Sequence, residues 1–128
     1  MPSVSEIMAT ELVSIPPTAT IAEAATVMGE RRVGSALVME GERLVGIFTE
    51  RDTVRALSQD FDAPGHPVSH WMTKDPVCIA PGTEIDDALG VMLDRGFRHL
   101  PVTDGDQVIG MVSIRDLSRS EHQQQLGG

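Results

Sequence analysis

Aromatic residues and cysteine are scarce in this chain of 128 residues, which has one Trp, three Phe, no Tyr and a single Cys. One cysteine cannot form an internal disulfide, so the fold depends on apolar burial rather than on cross-links. Cys78 lies between Val77 and Ile79, and we expect a small core residue there rather than a nucleophile. No apolar run approaches the roughly 20 residues of a membrane span.

Positive charge is also in short supply, since 10 Lys and Arg stand against 19 Asp and Glu, which gives a formal net charge of −9. So acidic a chain is not expected to hold nucleic acid or an anionic membrane by bulk electrostatics. Residues 1–6 lack the basic region and apolar run of a secretory signal. We therefore expect a soluble cytoplasmic protein that meets any anionic ligand with a few placed arginines.

Signatures of catalysis are missing as well. The sequence has no glycine-rich phosphate loop of the GxxxxGK type and no local signature of a Ser/His/Asp or Cys/His set. His66 and His70 are close in sequence, but two imidazoles make an incomplete metal site. These absences favour a protein that is not an enzyme and requires no cofactor or metal.

What the chain does have is an internal duplication. The sequence GIFTERD at residues 46–52 returns 64 residues later as GMVSIRD at residues 110–116. Residues 4–52 align without a gap on residues 68–116 and share 16 identical positions. A repeat that cannot bury its apolar face alone buries it on its copy, so two half-domains forming one domain are expected.

Each repeat has the pattern of a β-α-β-β-α unit. Apolar residues at i, i+3, i+4 and i+7 from Ile21, and again from Ile85, indicate amphipathic helices, the first at about 20–32. Two short apolar runs split by a polar turn follow each of them and predict a strand pair. Further helices are expected near 49–58 and 113–120.

These patterns give a fold of the α/β (α+β) class, with two pseudo-symmetric halves packed through their sheets. We predict the first motif at 1–60, a linker with Pro and Gly at 61–67 and the second motif at 68–119. Residues 120–128 form a polar tail with nothing to bury, which we expect to be disordered or a frayed helix end.

Two such units in register resemble a tandem pair of cystathionine-β-synthase-type (CBS) domains, also called a Bateman module. The resemblance covers nearly the whole chain and depends on two motifs of glycine, two apolar residues, Thr or Ser, two further residues and Asp. Pro17 and Pro81 ahead of the first helices support it, as does the RHLPV sequence at residues 98–102. Since the chain has no room for an attached catalytic domain, it is similar to the stand-alone form.

The resemblance implies a regulatory module that senses adenine nucleotides. Pairs of this family bind adenosine-containing ligands in two clefts between the halves and signal to a partner, here an unidentified separate protein. AMP, ADP or ATP is the expected ligand. S-adenosylmethionine is the second choice because arginines would face its cationic sulfonium. A dimerising scaffold that binds no ligand is the alternative.

Three polar residues of each motif can carry the binding chemistry. A hydroxyl and free backbone N–H groups at a strand-to-helix junction make an anion site. An arginine adds forked donors to a phosphate, and an aspartate can accept both hydroxyls of a ribose. The hydroxyl and the aspartate also suit a helix capping box, a role compatible with ligand contact. These residues are Thr49, Arg51 and Asp52 in the first repeat and Ser113, Arg115 and Asp116 in the second.

By resemblance, each cleft is completed by residues of the other half, which sandwich the base and read its edge. The Asp116 cleft is expected to be walled by Val13, Val33, Gly34, Ser35 and Ala36. The Asp52 cleft is expected to be walled by Val77, Phe97, Arg98, His99 and Leu100.

Several of these wall residues also have a plainer interpretation. Val13 and Val77 suit strand packing equally well, and Arg98 is as suited to a salt bridge as to a phosphate. If Arg98 and His99 do face Asp52, that site is the more cationic one. We then expect it to prefer the more highly phosphorylated nucleotide.

A homodimer is expected from four apolar positions on the second helix of each repeat. We expect these positions to lie outside the strand core and to need cover from a second copy of the chain. They are Val54, Leu57, Ile114 and Leu117.

Overall fold

A computed structural model of the chain describes the backbone of residues 2–127 and the side chains of residues 2–123. The described residues form two compact units. Leu12–Pro76 is the first half, and the residues up to Glu11 together with those from Val77 onward are the second half. Each half combines helices with paired strands, so the predicted α/β class is confirmed.

The first half contains a four-stranded sheet in the order β1-β2-β3-β4. β1 runs parallel to β2, whereas β2 with β3 and β3 with β4 are antiparallel pairs. Gly41 takes the positive φ of 63° that the tight turn between β2 and β3 needs. The bounds are β1 (Ser14–Ile15), α1 (Ile21–Arg31), β2 (Ser35–Glu40), β3 (Arg43–Thr49), α2 (Glu50–Gln59) and β4 (Thr73–Lys74).

The second half repeats this order of elements, but single bridges replace the edge strands of its sheet. An antiparallel pair, β5 and β6, is flanked by a parallel bridge from Ile79 to Val102 and an antiparallel bridge from Ala9 to Met111. These bridges occupy the places of β1 and β4, so the predicted β-α-β-β-α order is confirmed. The bounds are α3 (Ile85–Arg95), β5 (His99–Asp104), β6 (Gln107–Ser113) and α4 (Ile114–Gly127).

α4 is longer than the helix predicted near 113–120. The segment 120–128, expected to be disordered or frayed, is helical as far as Gly127, and Gly128 lies outside the described residues. Its sequence EHQQQL is rich in straight-chain residues with good helix propensity. Polarity alone therefore did not predict the end of the helix.

The folded halves are offset from the sequence repeats by an exchange of short segments. Ala63 and Val68 are fully buried in the core of the first half, although 61–67 was predicted as a linker and 68 as the start of the second motif. Val4, the counterpart of Val68, is fully buried in the core of the second half. Each half therefore closes its core with a segment that belongs, by sequence, to the other repeat.

The four apolar side chains that were predicted to lie outside the core, on the second helix of each repeat, differ in their burial. Val54 and Leu57 are exposed, but Leu117 is fully buried in the second core and Ile114 packs against that core. The prediction that all four side chains lie outside the core is wrong for Leu117. Ile114 and Leu117 of α4 thus pack on the core of their own half, whereas Val54 and Leu57 of α2 are left exposed.

A methionine crosses close to a glycine in each half. A Cβ atom built on Gly46 would lie 2.6 Å from Met72 Sδ and 2.9 Å from the Thr73 carbonyl oxygen. A Cβ on Gly110 would collide with the Met8 side chain in the same way. The lack of a side chain at these glycines lets the exchanged segment lie against β3 or β6.

We expect Gly46→Ala to lower the free energy of unfolding by about 1–3 kcal/mol, because the added methyl group meets a backbone carbonyl as well as Met72. Gly29→Ala in α1 is the control, since a Cβ there meets nothing within 4 Å. It should stabilise the protein by up to about 1 kcal/mol. Equal effects of both substitutions in chemical denaturation would contradict this account of Gly46.

Thr20 and Glu23 form a capping box at the start of α1. The Thr20 N–H donates to Glu23 Oε1 at 3.0 Å, and the Glu23 N–H donates to Thr20 Oγ1 at 3.1 Å. The hydrogen bonds from the Thr20 backbone and side chain lower the pKa of Glu23 from its usual 4.5. A lowered folded-state pKa stabilises the fold above the unfolded pKa, and this contribution is lost as pH falls through the folded value.

We therefore expect Glu23→Gln to be less stable than the unmodified protein at neutral pH, with a difference that shrinks below about pH 4.5. Urea denaturation at a series of pH values measures it. A difference that stays constant from pH 7 to pH 3 would show that the ionised carboxylate contributes nothing to the cap.

Candidate functional site

The first of the two short glycine-to-aspartate motifs, residues 46–52, lies at the junction of β3 and α2. Thr49 is the N-cap of α2, and its N–H and hydroxyl donate to Asp52 Oδ2 at 3.0 and 3.1 Å. In return, the Asp52 N–H donates to Thr49 Oγ1 at 3.2 Å. The predicted capping box is therefore present. It fixes the rotamer of Asp52, which is only 7% exposed.

Arg55 is a further polar residue of this motif that the sequence analysis missed. Its Nη2 donates to Asp52 Oδ1 at 3.2 Å and to the Trp71 carbonyl oxygen at 2.7 Å. Its guanidinium carbon lies 5.3 Å from the centre of the Trp71 ring, in the geometry of a cation–π contact. The spacing of Asp52 and Arg55 at i and i+3 on one helix was the available signal.

Trp71 also contacts His66, which in turn lies close to Asp60. Its indole N–H donates to His66 Nδ1 at 3.5 Å, and the two rings stack at an interplanar angle of 15°. His66 Nε2 lies 3.5 Å from Asp60 Oδ2. The segment that follows α2 is thus tied by polar and ring contacts to the motif that begins α2.

Four of the predicted wall residues of the first half lie on β2 or directly before β1 and β2, beside the motif of their own half. Ser35 pairs with Thr49 in the β2–β3 register, and the Gly34 carbonyl accepts from the Glu50 N–H at 3.0 Å. Val13 O accepts from Leu37 N–H at 2.9 Å, and Ala36 is buried. Within this half the small side chains therefore flank the start of α2.

The second motif has the same backbone frame. The Asp116 N–H donates to Ser113 Oγ at 3.2 Å, which forms one side of a capping box. His99 pairs with Ser113 in the β5–β6 register, and the Arg98 carbonyl accepts from the Ile114 N–H at 2.8 Å. Arg98 and His99 thus lie, within their own half, next to the motif that contains Asp116.

The predicted site residues therefore divide into two groups, one in each half. The first group contains Val13, Val33, Gly34, Ser35, Ala36, Thr49, Arg51 and Asp52. The second contains Val77, Phe97, Arg98, His99, Leu100, Ser113, Arg115 and Asp116. The assignment of each wall to the acidic residue of the opposite half stays a prediction.

Exposure separates the residues that are open to a ligand from those that hold the fold. Arg51 and Arg115 are exposed in the first turn of their helices, where free backbone N–H groups already favour an anion. Leu100 and Ala36 are buried, whereas Val77 and Phe97 pack partly buried against the second core. Burial raises the pKa of the Cys78 thiol, which disfavours the nucleophilic thiolate at neutral pH.

Metal sites and membrane-spanning helices are two further features to consider in the described part of the chain. Within it, no group of three or more His, Cys, Asp or Glu side chains is placed to hold a metal ion. His66 and His70 do lie near each other, with ring centres 6.2 Å apart. Among the described residues, no helix has the length and apolar character needed to cross a bilayer.

Comparison with known proteins matches both repeats to one family. The sequence profile described as "CBS domain" matches residues 4–59 and 68–122. An uncharacterized 17.7 kDa protein of Acidianus ambivalens is 47% identical over 120 residues, which cover 91% of this chain and 71% of that protein. The CBS domain-containing protein YhcV of Bacillus subtilis is 33% identical over 129 residues, covering 100% and 91%.

Solved structures share the fold over nearly the full length. The CBS-domain containing protein ATU1752 from Agrobacterium tumefaciens aligns with a TM-score of 0.89 at 28% identity, covering 94% of this chain and 99% of that one. Two structures below 25% identity show the fold alone, and each alignment covers 96% of this chain and 98% of the matched chain. They are the CBS domain pair of MJ0100 with 5′-methylthioadenosine and S-adenosyl-L-methionine (22%, TM-score 0.88) and CBSX2 with AMP (24%, TM-score 0.80).

The family assignment follows from the two profile matches, which cover most of the chain, and from the relatives matched over most of their length. The chain belongs to the CBS domain family, as a tandem pair of CBS domains.

Proposed function

We propose that this CBS pair is a regulatory module that binds AMP, ADP or ATP and passes the binding event to a separate protein. The observation that carries the proposal is the recurrence, in both halves, of a hydroxyl and an aspartate at the first turn of a helix beside an exposed arginine. A catalytic role is not proposed, because these groups suit recognition of a phosphate and a ribose rather than bond breaking.

The motif of each half offers separate recognition for two parts of a nucleotide. The exposed guanidinium of Arg51 or Arg115 lies at the positive end of a helix dipole, where a phosphate is favoured. The carboxylate of Asp52 or Asp116 accepts hydrogen bonds only, which suits the two hydroxyls of a ribose. The structure of CBSX2 in complex with AMP supports the choice of an adenine nucleotide.

S-adenosylmethionine is the second candidate ligand. It is supported by the MJ0100 pair, which was solved with this compound and 5′-methylthioadenosine. Its adenosine part would use the same aspartate. Its sulfonium carries a positive charge that Arg51 and Arg115 would repel, so we rank it below the nucleotides.

The regulated protein and a cytoplasmic location stay predictions from the sequence, as does the preference of the Asp52 site for the more phosphorylated nucleotide. Comparing AMP with ATP on the Asp116→Asn protein tests that preference directly, because only the Asp52 motif then keeps its carboxylate. Equal affinities, or a preference for AMP, would contradict it.

We expect ligand-free protein to bind AMP or ATP in isothermal titration, and Asp52→Asn and Asp116→Asn each to weaken one binding event by about 1.5–3 kcal/mol. Glu23→Gln is the matched control, because Glu23 has the same capping geometry on α1 but is not proposed to meet a ligand. It should leave both affinities unchanged. The absence of binding by AMP, ATP and S-adenosylmethionine would favour the dimerising scaffold instead.

A homodimer is part of the proposal. α2 leaves Val54 and Leu57 67% and 49% exposed, and Phe61, shortly after the helix, is 95% exposed. A second copy of the chain would remove this apolar surface from water. The hexameric CBS-CP12 protein is a related case of assembly.

Light scattering at working concentration should give the mass of a dimer, and Leu57→Lys should shift it to that of a monomer. Leu93→Lys is the control, since Leu93 is 66% exposed on α3 of the other half and is not one of the three residues proposed for this interface. A monomer mass for the unmodified protein would refute the dimer, and a dimer that survives Leu57→Lys would place the interface elsewhere.

A further inference from the structure

The two acidic residues differ in how much of their hydrogen-bonding capacity the protein already uses. Asp52 Oδ2 accepts from the N–H and the hydroxyl of Thr49, and Oδ1 accepts from Arg55. A carboxylate has about four acceptor positions, so roughly one remains. The two hydroxyls of a ribose need two. A ligand can engage Asp52 fully only by displacing one of these donors.

Asp116 is not held in this way by the corresponding residues. Of the described residues of its half, Ser113 accepts from the Asp116 N–H but makes no return hydrogen bond to the carboxylate, and Arg119, at the position of Arg55, makes no ion pair with it. Two or more acceptor positions of Asp116 are therefore left by these neighbours for a diol.

Trp71 explains why Arg55 and Arg119 behave differently. The Trp71 carbonyl and ring face hold the Arg55 guanidinium where it also reaches Asp52. Ile7 takes the position of Trp71 in the second half, where it packs partly buried against the core. An aliphatic side chain offers no π face to a guanidinium, so Ile7 cannot give Arg119 the ring contact that Arg55 has. Among the described residues, Arg119 also makes no hydrogen bond to the Ile7 carbonyl that would match the one from Arg55 to Trp71.

We propose that Arg55, anchored on Trp71, is a specificity-determining residue that competes with a ligand diol for Asp52, so that the Asp116 motif fills first. The inference rests on the proposed binding of adenosine ligands. It predicts two AMP-binding events of unequal affinity. Occupation of the first motif then requires the Asp52–Arg55 ion pair to open, which changes the surroundings of Trp71.

The test is an isothermal titration with AMP of Arg55→Gln and of its matched control Arg119→Gln. Arg55→Gln should strengthen the weaker event about three- to tenfold, since the partly buried ion pair between Arg55 and Asp52 no longer competes with the ligand. Arg55→Lys, which keeps the charge but not the planar fork, should fall between Gln and Arg. Arg119→Gln should match the unmodified protein.

Tryptophan fluorescence gives a second readout, which would not change with AMP if Arg55 had only a structural role. The chain has one Trp and no Tyr, so its emission reports on Trp71. An AMP-dependent change in emission should persist in Asp116→Asn and disappear in Asp52→Asn. In the unmodified protein, this change should follow the weaker of the two binding events.

Three results would overturn the proposal. They are equal affinities at both motifs, a weaker event that Arg55→Gln leaves unchanged or weakens, and loss of the tighter event in Asp52→Asn. Each of these leaves AMP binding intact and so refutes the role of Arg55 alone. The absence of AMP binding to the unmodified protein would instead refute the proposed function, and this inference with it.

Discussion

The structure depends on the way each half closes its core with a short segment from the other repeat. Val68 completes the core that holds Ile21 and Phe48, and Val4 completes the core that holds Ile85 and Leu117. A fully buried valine contributes about 1.5–3 kcal/mol, and Gly46 and Gly110 leave the space in which the following methionine lies. Because each repeat lacks part of its own core, neither repeat as defined by sequence is a complete folding unit.

The same closure positions the candidate site. The segment that brings Val68 and Met72 into the first half also brings Trp71, whose carbonyl and ring hold Arg55 against Asp52. The polar network of the first motif therefore depends on the apolar packing of the exchanged segment. In the second half the corresponding segment carries Ile7, and packing is kept while the polar link is absent among the described residues.

The order of the elements and the position of both motifs could be predicted from the sequence. Helix periodicity can be read within one segment, and the repeat can be read by comparing the two halves of the sequence. The segment exchange could not, since Val4 and Val68 are identical and nothing in either residue tells which core it enters. The Arg55 contacts were missed because Trp71 is remote in sequence from α2. The burial of Leu117 was missed because polarity patterns do not show which face of a helix packs on its own sheet. Which half walls which acidic residue depends on packing beyond one repeat.

Capping and the proposed ligand binding use the same carboxylate atoms, and this sets a physical limit on the motif. A carboxylate that satisfies the N–H at the start of a helix has fewer acceptor positions for a ligand, whereas one that does not leaves the helix end less stable. Duplication lets one chain hold both solutions. Asp52 is bonded to Thr49 and Arg55, whereas Asp116 makes no equivalent bond to any described residue. A module whose two motifs differ in this way can respond to one ligand over two ranges of concentration, which a pair of identical motifs acting independently cannot do.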